Sequence, residues 1–299
     1  MNKRGQVTIF VVLGILIVIV IGIVVLIRTN SLNKAGESGL GTSISLSQSI
    51  DEINSFVNLC LTEFSDSAIY DAGKHAGYAL IKPENYFGLP NNGFGSSNHP
   101  IFGKVVYLTC NGVDQTPNIL NVETNIEEAL EYYLINECLD EFNILRDNGW
   151  NVEGEEFDVN INMENSGIFV TLNIPRKFDK NEISFEISNF DYFSGIDFNF
   201  YLVKSKEIVD SITNLLISIL PELELKVNRG ELTVGAATEI AINEVEELLE
   251  TYRIELDSLG YDFFYAMDFN PPDECNNFPK IFLIKNRENK FRYVFGASL

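Results

Sequence analysis

An α+β fold behind an N-terminal transmembrane helix is predicted by three patterns in the chain. Apolar side chains recur at three- and four-residue steps over residues 50–68 and again over 126–142, the period of a helix with one buried face. From Phe157 the period changes to two, as in strands with one wet and one buried face. Ahead of both lies a run without a charged side chain, opening at Val7 and closing at Ile27. Strands follow strands and helices follow helices instead of alternating, so the class is amphipathic helices packed on a mainly antiparallel β-sheet.

The first element, residues 1–28, is the membrane segment. About 20 apolar residues cover the roughly 30 Å hydrocarbon layer, and each Ile, Val, Leu or Phe near its centre favours insertion by about 0.3–0.6 kcal/mol. A cleaved secretory signal would have a shorter apolar core followed by a small-residue cleavage site; here Arg28, Thr29 and Asn30 follow instead. The flanks Lys3 and Arg4 on one side and Arg28 on the other orient the N-terminus to the cytoplasm by the positive-inside rule, leaving the rest of the chain outside. The bilayer, met through Val7 to Ile27, is thus the first expected partner of a single-pass protein.

The order Lys3-Arg4-Gly5-Gln6-Val7-Thr8-Ile9-Phe10 ahead of a long apolar helix resembles the class III signal peptide of archaeal type IV pilin-like proteins. In that family a prepilin-type peptidase cuts after the glycine and leaves the apolar helix on the mature chain. The resemblance therefore implies processing between Gly5 and Gln6. Phe10 stands where those pilins commonly carry an acid, five residues after the cut. Cys60, Ala76-Gly77-Tyr78 and Cys138-Leu139 extend the resemblance to membrane-anchored archaeal proteins of uncharacterised function.

Residues 29–48, with Gly36, Gly39, Gly41 and repeated Ser, read as a flexible tether. The remaining residues, 49–299, suffice for one large acidic domain or two joined lobes, 49–150 and 151–299. A helix is predicted from Ser49, whose spacing to Glu52 is that of a capping box, with Ile50, Ile53, Val57, Cys60, Leu61, Phe64 and Ala68 facing inward. His75 beside Lys74 suits its C-terminus, where positive charge complements the helix dipole. Residues 91–99, including Ser96, Ser97, Asn98 and His99, read as a loop, and 101–110 as a strand. A second helix is expected from Thr124-Asn125-Ile126-Glu127, with Ile126, Leu130, Leu134, Cys138 and Phe142 inward.

Val159, Ile161 and Met163, a turn at Glu164-Asn165-Ser166-Gly167, and Ile168, Val170, Leu172 and Ile174 predict a hairpin. Further strands are expected over 183–187 and 196–202. Helices then run over 205–220, ended by Pro221, and 238–259, ended by Gly260. Strands at 261–269, 279–284 and 291–295 close the chain. The 22 Phe and 12 Tyr fall mostly on inward positions of these elements, as core packing requires.

Four cysteines, Cys60, Cys110, Cys138 and Cys275, lack the close pairs of a zinc site and allow three full disulfide pairings. Export favours bonding over free thiols. Cys60 and Cys138, each on the inward face of a capped helix, are the disulfide candidates; buried free thiols are the other reading.

No P-loop, dinucleotide fingerprint, zinc-protease helix or nucleophile elbow occurs, and there are two histidines. No catalytic residue, cofactor or metal ligand is therefore assigned. The net charge of −22 rises to −25 beyond residue 28, which excludes nucleic acid as a partner of the domain. No N-x-[ST] sequon is present. The expected role is structural or interactive at the cell envelope, with protein partners there; an anchored extracytoplasmic enzyme or solute-binding module is the alternative.

Overall fold

After Gly41 the chain meets neither glycine nor proline for thirty residues and more, so a helix once begun has no signal to stop it. In the computed structural model, which describes residues 42–82, 85–86, 96–99, 103–110, 113–114, 116–138, 146, 149–154, 156–181, 183–267 and 280–297, helix α1 accordingly spans Thr42–Lys74. Ser49 lies inside it, and the stretch from Thr42 to Gln48, read as tether, is helical. No helix among the described residues is long and apolar enough to cross a membrane. Residues 7–27, the expected anchor, lie outside them. The chain divides into two compact units, Met1–Ser55 and Phe56–Leu299. In the first, the described residues, 42–55, are helical.

Strands β1 (Leu80–Lys82) and β2 (Asn85–Tyr86) form a small antiparallel pair. Next come β3 (Ser96–His99), β4 (Gly103–Cys110) and β5 (Val113–Asp114). The polar stretch Ser96 to His99, expected in a loop, is thus a strand. Its backbone pairs antiparallel with β4, Ser96 opposite Val106 and His99 opposite Gly103. Polar composition alone does not prevent pairing where a neighbouring strand supplies the ladder.

Helix α2 (Ile119–Tyr133) is capped by Asn118, whose side chain accepts from the Asn121 backbone N–H, and runs into a π-helical turn, Leu134–Cys138. Thr124 is internal, so the expected cap is displaced by more than a turn. The predicted face is nevertheless the buried one: Ile126, Leu130, Leu134 and Cys138 are all in the core. Asn125, also buried, donates to the Gly77 carbonyl at 3.1 Å and joins α2 to the end of α1.

The four-stranded antiparallel sheet consists of β6 (Asn151–Glu153), β7 (Asp158–Glu164), β8 (Gly167–Lys180) and β9 (Ile183–Ser194). β8 is its centre, with β9 along one side and β7 and β6 along the other. The hairpin register Asp158↔Asn173 through Glu164↔Gly167 sets Val159, Ile161 and Met163 inward with Ile168, Val170 and Leu172, as the alternation requires.

Strand β7 needs partners for its outer edge, and α2 supplies them. Glu127 Oε1 accepts from the Ile161 backbone N–H at 2.9 Å, and Glu123 Oε1 from that of Met163 at 2.7 Å. Glu127, expected in a capping box, therefore covers a sheet edge instead. Changing both Glu123 and Glu127 to Ala should cost about 1 kcal/mol for each partly buried N–H left unpaired, whereas the Gln pair keeps an acceptor at each place. Urea denaturation of the two double variants checks this.

On the same helix, burial and then the charges of Asp158, Glu127 and Glu128 raise the Glu131 carboxyl above its usual range. A raised folded-state pKa means that the folded chain holds this proton more tightly. The charged form therefore destabilises the fold at neutral pH, and the penalty fades as pH falls through the folded pKa. Glu131→Gln is expected to raise the melting temperature at neutral pH and to leave it unchanged well below about pH 4.3, the unfolded glutamate value. Melts across that range test it.

Helix α3 (Phe198–Asn228) begins where a strand was expected. Ile196, Phe198, Phe200 and Leu202 alternate, but Asp197 accepts from the Phe200 N–H at 3.0 Å and caps a helix whose Phe198, Tyr201, Ser205 and Ile208 are buried at helical spacing. Pro221 sits within α3 rather than ending it. Leu216 before it and Leu223 after it are both buried, and packing outweighs the hydrogen bond that proline removes. Helix α4 (Val234–Ser258) starts at the Thr233 cap, a turn before the expected Thr238. Lys204 joins α3 to α4, its ammonium 2.6 Å from Glu207 and 2.8 Å from Glu255.

β10 (Tyr261–Met267), β11 (Lys280–Asn286) and β12 (Arg292–Ala297) complete a six-stranded sheet in the order β10-β11-β12-β4-β3, with β5 on β4. The β12–β4 contact is parallel, Gly296 opposite Tyr107. Strands from both 49–150 and 151–299 thus share one sheet. Gly296 is required there, because a Cβ would stand 2.8 Å from the Tyr107 ring. The fold is α+β, and among the described residues the pairing is antiparallel apart from this junction.

Candidate functional site

Cys60 and Cys138 form a disulfide, with their Cα atoms 6.1 Å apart, within the range that such a bond requires. The bond ties the middle of α1 to the π-helical turn after α2 and closes a separation of 78 residues. Both side chains are buried. Cys275 lies outside the described residues, as do Lys3, Arg4, Gly5, Gln6 and Arg28.

On α1, past Cys60, the helical period sets Asp66, Tyr70 and Lys74 in one row, and Ser67 and Asp71 in the next. With Tyr133 of α2 these side chains line a groove of about 450 Å³. Its walls are held from behind. The Tyr192 hydroxyl of β9 donates a short hydrogen bond to Asp66, and the Tyr70 hydroxyl donates to the Asn289 carbonyl at 2.9 Å. Tyr133 stacks on Phe64 with ring centroids 5.9 Å apart and meets Tyr132 edge-on.

Burial, and then the neighbouring carboxylate, raises the phenols of Tyr70, Tyr133 and Tyr192. Asp66 acts on Tyr70, Asp71 on Tyr133, and Asp66 on Tyr192 both as hydrogen-bond acceptor and as charge. They remain neutral at physiological pH, and their ring faces stay electron-rich. Asp71 lies beside His75, whose Nδ1 is 2.8 Å from the Asp71 carbonyl and 3.4 Å from its carboxylate. His75 follows the last helical residue and is buried, which agrees with its expected place at a helix C-terminus.

The lining side chains offer two carboxylates, two phenols, one hydroxyl and one ammonium. Ser67 donates to the Glu63 carbonyl at 2.9 Å, the ordinary back-bond of a helical serine, and among the described residues neither His nor Cys lines the groove. Among the described residues no group of three or more His, Cys, Asp or Glu is arranged to hold a metal ion.

Sequence reasoning missed the groove because α1 is legible only one face at a time. The inward face shows as apolar spacing, whereas Asp66, Ser67, Asp71 and Lys74 read as a wetted surface until Tyr133 is brought alongside. The i, i+4, i+8 row of Asp66, Tyr70 and Lys74, with an aromatic amid charges, was the available signal. No protein-family model, curated protein or solved structure matches the chain.

Proposed function

We propose that this chain is a single-pass, membrane-anchored extracytoplasmic protein, pilin-like in its anchor, whose acidic α+β domain has a structural or interaction role at the cell envelope. The observation that carries the reading is the Cys60–Cys138 disulfide, since such bonds persist mainly in oxidising compartments outside the cytosol. The charge-free run from Val7 to Ile27 supplies the anchor that this placement needs. A strongly acidic surface is consistent with display in water and with repulsion from anionic lipid headgroups. The groove, which offers recognition chemistry without a nucleophile–base pair, fits an interaction role.

Carbonate extraction, protease treatment of intact cells and mass spectrometry of the mature N-terminus test the proposal together. The full chain should stay with membranes, its domain should be cut from outside, and the mature chain should begin at Gln6. Recovery in the soluble fraction with residues 6–28 present, or protection of the domain in intact cells, overturns the anchored, exported reading. A mature N-terminus at Met1 overturns the processing at Gly5 alone.

A further inference from the structure

We infer that the α1 groove is a docking point for a cationic side chain, the ammonium or guanidinium of a basic protein partner. Two carboxylates, Asp66 and Asp71, and two phenol rings, Tyr70 and Tyr133, line one concave surface. A cation gains from both: Coulomb attraction to the carboxylates and the quadrupole of the ring faces. Other ligands fare worse. An anion would be repelled by both aspartates, and an apolar group would strip water from them without compensation.

The walls are preformed, because Tyr192 holds Asp66, Asn289 holds Tyr70, and Phe64 backs Tyr133. Binding thus has little side-chain ordering to oppose it. Lys74 lines the same groove and carries the ligand's own sign of charge, so it must swing out on its long flexible stem as the ligand enters. At longer range, the charge of −25 beyond residue 28 steers a basic partner toward the domain. The inference names the partner class for the interaction role proposed above and rests on that reading only for where the partner is met.

The test titrates the full-length protein, in neutral detergent, with a blocked glycine pentapeptide carrying one central lysine and with the same peptide carrying norleucine. The lysine peptide should bind saturably and perturb tyrosine NMR signals, and the norleucine peptide should bind about tenfold more weakly. Asp71→Asn and Tyr133→Leu should each weaken the lysine peptide about fivefold. Tyr133→Phe, which keeps the ring, should retain binding, as should Glu239→Gln, which removes one charge from α4 instead. No saturable binding, equal binding of the two peptides, or equal losses from Glu239→Gln and Asp71→Asn would overturn the inference.

The peptide comparison needs only the unaltered protein, so it decides the matter even if a variant fails to fold. Because it uses purified protein, its failure leaves the anchored, exported reading standing. Failure of the fractionation and protease tests likewise leaves this site standing.

Discussion

Replacing Cys60 by Ser is expected to lower the stability of the domain by about 4 kcal/mol, the chain-entropy value for a closed loop of this length. The bond spans 78 residues, and its loss frees the unfolded chain far more than it disturbs a fold in which α1 and α2 still bury apolar faces. For a domain of this size that corresponds to a fall of roughly 10 °C in melting temperature. Cys138→Ser should give the same fall, and the double variant no more than either alone, because each change removes the same bond. Thermal melts of the three variants decide it. A Cys60→Ser protein melting with the unaltered chain would show that the bond contributes no stability.

Phe291→Ala should cost about 3–5 kcal/mol, the range for removing a fully buried aromatic. Phe291 has no exposed surface. Its ring centroid lies 5.4 Å from that of Tyr70 on α1, and 5.7 and 4.9 Å from those of Phe198 and Tyr201 on α3. One side chain thus fastens two helices to the start of β12. Gly73 makes room for it, since a Cβ there would stand 2.3 Å from Phe291 Cζ and 2.7 Å from the Arg292 carbonyl.

Gly73→Ala alone is therefore expected to cost about 1–3 kcal/mol by overpacking. Much of that cost should vanish in a Phe291→Leu background, where the ring atom nearest the new methyl is gone, leaving the contact with the Arg292 carbonyl. Urea denaturation of the single and double variants measures the coupling. Strict additivity would show that the two positions do not share the clash.

Periodicity was the most legible property of this chain. On α1 and α2 the inward faces were readable from Val57, Cys60, Leu61, Ile126, Leu130 and Leu134, and their geometry led to the Cys60–Cys138 pair. In the β7–β8 hairpin, alternation and the turn at Glu164 to Gly167 determined the register. These patterns survive because burying one face of an element is a local requirement, repeated at every turn or every second residue.

Element ends were less legible. Ser49 and Thr124 have the side chains of N-caps, but helices began upstream of both, where no breaker intervened and Asn118 offered an earlier cap. Pro221 stayed inside α3, and the alternation from Ile196 to Leu202 proved to be a helix start. In each case a strong local signal yielded to packing on another element.

What the sequence determined by itself was the class of fold, the buried faces and the acidic surface, all consequences of side chains read along one short stretch. Tertiary structure alone decided the rest. It paired β4 with β12 in parallel, turned Glu123 and Glu127 toward the edge of β7, and set Tyr133 against Asp66, Tyr70 and Asp71. These contacts join residues from about 35 to nearly 190 positions apart. Their geometry depends on how whole elements pack, so nothing within a single stretch of sequence could announce them.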